Sequence, residues 1–112
     1  MGYYTIYTLK WKADKQTSTL IRKYIDEAQN DLEQFYGLDY DGRSPGEPSK
    51  WYDHDEDMKG LSLAFPEIVF TLHGEGEEVG DLWNKYYLNG KVHVAEAQIT
   101  YPPFNPDELK DI

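Results

Sequence analysis

Apolar, β-branched and aromatic residues crowd "YYTIYTLKW" (3–11), which predicts a first strand. Lys12 to Lys15 reads as a polar turn, and from about Thr17 the period changes. Ile21, Tyr24, Ile25, Ala28, Leu32 and Phe35 then recur at helical spacing. Arg22, Lys23, Asp26, Glu27, Asp31 and Glu33 fall between them as the wet face, and Gly37 is the stop signal. "GLDYDGRSPGEPS" (37–49) has the glycine, proline and Asp/Ser content of a loop. "KWY" after it can pair briefly as a strand.

Asp53 followed by Glu56 has capping-box spacing, which predicts a helix over about 53–64. Acids in its first turn suit the positive end of the helix dipole. Met58 and Leu61 would face the core, and Phe65-Pro66 would end the helix. "EIVFTLHG" (67–74) is a strand with Ile68, Phe70 and Leu72 on one face. Two alternating segments then flank Asn89-Gly90, the strongest short hairpin signal. A phase slip from Val92 and Val94 to Ala95, Ala97 and Ile99 predicts a bulge near 94–95, with Pro102 and Pro103 ending the strand. Asn105-Pro106 would open a terminal turn in the tail, 103–112.

The predicted order is β-α-β-α-β-β-β in one domain spanning 1–112. The expected fold is α+β: two amphipathic helices on one face of a mostly antiparallel sheet of four or five strands, ferredoxin-like in outline. With 112 residues the chain can bury one core. Its 15% aromatic content sets it apart from a disordered acidic tail. The absence of cysteine excludes disulfides and thiolate metal sites. With no N-terminal apolar run and no stretch of spanning length, the expectation is a soluble cytoplasmic protein with no membrane contact.

Charge adds the sharpest feature. The net charge is −10, and residues 38–81 hold three basic against twelve acidic side chains. Such a field repels nucleic acid and attracts basic surfaces, so direct nucleic-acid binding is not expected. A solvated acidic surface that only keeps a small protein soluble is the plain alternative.

Several site chemistries can be weighed against this acidity. A calcium loop begun at Asp53 finds Asp55 and Asp57 in place, but Met58 stands where glycine must turn and Ala64 where Glu must close the site. Asp39 and Asp41 before Gly42 lack the rest of that pattern. For zinc, His54, His73 and His93 have no helical partner spacing. "GEGEEVG" offers glutamates where a phosphate loop needs lysine. No metal or cofactor is therefore expected, and enzyme is the weaker class, kept as a small metal- or carboxylate-dependent activity at His54 with Asp53, Asp55 or Asp57.

What remains is a recognition surface for a protein with a basic face: Trp51, Tyr52, Asp53, Asp55, Asp57, Glu75, Glu77, Glu78, Asp81 and Trp83. Rings supply contact area and carboxylates steer encounter. Trp51 and Trp83 can equally be core residues.

"MGYYT", "KWYDHDEDM", "FPEIVFTLHGEGEEVGD-W" and "NGK" together resemble a family of small acidic proteins of phages and bacterial mobile elements. The resemblance spans nearly the whole chain and carries no catalytic residues. It implies an accessory protein that binds and inhibits a host factor, such as a CRISPR effector, a restriction nuclease or a polymerase, by imitating nucleic-acid charge.

Overall fold

Strand β1 (Thr5–Trp11) starts a four-stranded sheet that runs β1-β2-β3-β4, with β2 (Phe70–Gly76), β3 (Leu82–Leu88) and β4 (Lys91–Glu96) all antiparallel to their neighbours. Helices α1 (Lys15–Leu32) and α2 (His54–Ala64) lie between β1 and β2 in sequence and cover one face of that sheet. The computed structural model describes residues 3–38 and 48–112. Most of the predicted 37–49 loop, including Asp39 and Asp41, lies outside the described residues. The fold is α+β, as its two periodicities required.

Register explains the core. Tyr7 pairs with Gly74 and Leu9 with Leu72, while Phe70 pairs across to Tyr87, so these side chains share the face beneath the helices. Ile21, Ile25 and Ala28 of α1 and Met58 and Leu61 of α2 close over them, joined by Phe35, Leu38 and Trp51 from the segments between. The opposite face, with Thr8, His73, Asn84, Tyr86 and His93, carries no helix among the described residues.

Several local expectations are corrected. Helix α1 begins at Lys15, because the Asp14 carboxylate accepts from the Thr17 N–H at 2.6 Å and turns the "polar turn" into a cap. It ends at Leu32, followed by a left-handed Glu33 (φ 55°), so Phe35 reaches the core from the exit loop and Leu32 stays exposed. The capping box does not form: Asp53 has φ −91° and ψ 22° and makes no side-chain cap bond. "KWY" reduces to a single bridge, Thr5 with Ser49, closed by two backbone bonds of 2.9 Å. The β3–β4 ladder runs without a bulge, and β4 stops at Glu96 rather than reaching the prolines. The hairpin turn is as expected, with Asn89 at φ 49° and Gly90 at φ 77°. Asn105 caps a 3-10 turn, Pro106–Glu108.

Candidate functional site at the N-terminus of the second helix

Alternation along β3 puts Trp83, Lys85 and Tyr87 on the helix-covered face, opposite the first turn of α2. Three residues of one strand therefore meet the acidic cluster that opens the helix. Tyr87 donates its hydroxyl to Asp55 Oδ1 at 2.6 Å. Lys85 Nζ lies 3.2 Å from both Asp55 oxygens and 2.9 Å from His54 Nε2. The other ring nitrogen, His54 Nδ1, is 2.9 Å from the Trp51 carbonyl. A carbonyl only accepts and an ammonium only donates, so the proton sits on Nδ1 and Nε2 receives Lys85.

This neutral form matches the electrostatics. Burial pushes the His54 pKa down, and the Lys85 charge pushes the same way, against the opposing influence of the Trp51 carbonyl, Asp55 and Asp57. The 3.8 Å approach of His54 Nε2 to Asp55 is thus not an ion pair, whereas Lys85 to Asp55 is one. Burial works to raise the Asp55 pKa, but bonds from Tyr87 and Lys85 outweigh it and hold the carboxyl below its usual range. Burial first, and then the bond to Asp55, push the Tyr87 hydroxyl far up. The result is a chain of donors and acceptors whose members satisfy one another.

Trp83 completes the wall. Its ring stacks on His54 with centroids 5.4 Å apart and planes 18° from parallel, and Lys85 Nζ sits 5.0 Å from its centroid. Gly74, paired directly with Trp83, leaves the room: a Cβ there would collide with the indole. Behind this wall Trp51 is buried at 2% exposure, donating Nε1–H to Asp57 Oδ2 at 2.6 Å. The same oxygen accepts the Phe35 N–H at 3.0 Å, which ties α2 to the exit of α1.

The β2–β3 turn joins this end of the molecule through Tyr3. Its hydroxyl donates to Asp81 at 2.6 Å and accepts from the Glu78 N–H at 3.0 Å, while its own N–H donates to the Tyr52 hydroxyl at 3.2 Å. The bond to Asp81 raises the Tyr3 pKa. Gly76 permits that contact, since a Cβ there would meet both Asp81 and the Tyr3 hydroxyl.

The ten sequence-predicted residues thus divide. Tyr52, Asp53, Glu77 and Glu78 are exposed, and Asp81 and Trp83 are half-buried beside them. Asp55 is neutralised by Lys85. Trp51 and Asp57 are interior supports with no face to offer a partner. Glu75 alternates onto the helix-free face, where it meets His73 at 3.2 Å. The band of seven carboxylates is therefore not one stripe. Asp53, Glu56, Glu77 and Glu78 form no ion pair among the described residues. Sequence reasoning missed Lys85 and Tyr3. A lysine at i+2 from Trp83 and i−2 from Tyr87 was the available signal, because a cation on a covered face requires a carboxylate.

Among the described residues, no group of three or more His, Asp or Glu side chains is placed to hold a metal ion. No helix among them is long and apolar enough to cross a membrane. Comparison with protein-family models, curated proteins and solved structures gives no match, so any functional argument rests on this chain's own geometry.

Proposed function

We propose that the chain is a protein-binding module that presents its acidic end to a basic surface on a nucleic-acid-handling host factor, and inhibits or modulates that factor. The observation that supports this most is that Tyr3 bonds both Tyr52, next to Asp53, and the turn carrying Glu77 and Glu78, three exposed carboxylates that form no ion pair among the described residues. Unpaired carboxylates beside aromatic rings attract and then hold a basic partner. Imitation of phosphates by this smaller cluster, and an accessory role on a phage or mobile element, belong to the same proposal.

The test is capture from host lysate with the wild-type chain and with a D53K/E77K/E78K variant, in rising salt and with a short DNA duplex as competitor. The proposal expects a nucleic-acid-handling protein that the duplex and salt both release and that the variant does not retain. Identical capture by both chains would end it.

The alternative, a small carboxylate-dependent enzyme at His54 and Asp55, draws on the contacts among His54, Asp55, Lys85 and Tyr87. It is less well supported, because each of those polar atoms already serves a neighbour within the chain.

A further inference from the structure

The sheet ends at β4, whose outer edge pairs with no strand among the described residues and whose side chains are mostly exposed. The two-residue turn makes Leu88 and Lys91 a bonded pair, and the Ala97 N–H donates to the Leu82 carbonyl at 2.9 Å. The ladder to β3 therefore uses Lys91, His93, Ala95 and Ala97. The backbone N–H and C=O groups of Val92, Val94 and Glu96 point the other way, into open space. Their side chains lie on the helix-covered side, yet Val92 and Val94 remain 47% and 48% exposed. Edge strands are ordinarily protected by proline, a bulge or an inward charge. Val92 to Ala95 has none of these.

A second feature lies on the same flank. Beyond Glu96 every residue is exposed, and Tyr101, Phe104, Leu109 and Ile112 carry apolar groups into solvent. The chain reaches 59 Å in its longest dimension with a radius of gyration of 17.6 Å. A compact chain of this length would have about 13 Å. The C-terminal segment is an arm that leaves the body.

We infer that β4 is a dimerisation edge, which pairs antiparallel with β4 of a second copy of this chain to form one continuous sheet. Self-pairing about a two-fold axis keeps the helices of both copies on the same side only when paired positions share a face. Placing Val94 on the axis sets Val92 against Glu96 of the second copy and uses every outward backbone group of the strand. Antiparallel pairing then directs each arm over the other copy's hairpin. There the half-exposed Leu63 lies against Gly90, with Lys59 one turn earlier on α2 and Lys91 just past the turn. The arm carries Asp107, Glu108 and Asp111, so apolar and charged groups both find complements.

Sedimentation equilibrium on the full chain at tens of micromolar tests this, together with V94P. Among the described residues the Val94 N–H has no ladder partner, so proline acts on the outer edge; V94K gives the same reading should V94P lose its circular dichroism. Because the chain has no cysteine, V94C adds a cross-link across the axis, with T8C on the opposite edge strand as control. The expected result is twice the chain mass for wild type, a single chain mass for the folded edge variant, and covalent dimer forming faster in V94C than in T8C. A single chain mass for wild type, a dimer that survives the edge substitution, or equal cross-linking in the two cysteine variants would each overturn the inference.

Discussion

Lys85 donates to His54 Nε2 at 2.9 Å while His54 Nδ1–H donates to the Trp51 carbonyl, so a single imidazole links the sheet to the loop that enters α2. That geometry admits only the neutral ring. Protonating His54 would place two cations in hydrogen-bond contact and cost the ring its bond from Lys85, which would keep only Asp55.

Stability should therefore fall in mildly acidic solution. The folded-state pKa of His54 lies below its ordinary value of 6.5, so the unfolded chain binds the extra proton first as pH drops. The contribution is fully present above the unfolded value and is lost as pH falls from there through the folded one. Lys85 and Trp83 of β3, Asp55 and Asp57 of α2, Tyr7 of β1 and Trp51 all surround the ring and share in setting that window. Urea midpoints should decline between pH 7.5 and 5.5 in the wild type and decline less in H54Q. A K85M variant should move the His54 titration upward in an NMR series, since it removes one of two downward influences.

A separate acid step should follow at lower pH. Asp55 has a folded pKa below 3.8, so its pairing with Tyr87 and Lys85 stabilises the fold above that value and is lost as pH falls through the folded pKa. In D55N the second step should be diminished while the histidine step persists. A pH series of thermal midpoints on both chains separates the two.

Asp57 is the support on which the site rests. D57A should cost about 3 kcal/mol, because it strands two buried donors, the Trp51 indole and the Phe35 amide. D57N keeps an oxygen in the same place and should cost closer to about 1 kcal/mol, the difference between a charged and a neutral acceptor. Urea titration followed by tryptophan emission reads both, since Trp51 should redden when its partner is removed.

Gly74 should tolerate no side chain. G74A places a methyl group against the Trp83 ring, and such overpacking costs about 1–3 kcal/mol. The indole must leave His54 to relieve it. Near-ultraviolet circular dichroism should lose the tryptophan signal in G74A.

Much of this architecture was legible because burial is written in period. The three-four spacing of Ile21, Ile25 and Ala28 and the alternation of Phe70 and Leu72 are both consequences of which face meets the core. Asn89-Gly90 was legible for a different reason, that a two-residue turn demands positive φ twice. The bulge was not there to find: Ala95 and Ile99 broke the alternation because the face beneath them is open, and an uncovered face imposes no pattern. The candidate site was half legible. Acidity marked its location, but linear charge density could not separate Asp57, which turns inward to Trp51, from Asp53, which faces water. Nor could it show that Glu75 and Glu77, two residues apart, part company where β2 ends and the turn begins.

That last division supplies the most direct test of the acidic end as a recognition surface. With a partner in hand from lysate capture, its affinity should be measured against salt concentration for wild type, D53K/E77K/E78K and E75K. Wild type should show a steep salt dependence, the triple variant a flattened slope and weakened binding, and E75K, whose charge lies on the face turned away from the helices, near wild-type behaviour. Equal affinity and equal slope across all three chains would contradict recognition through the acidic end.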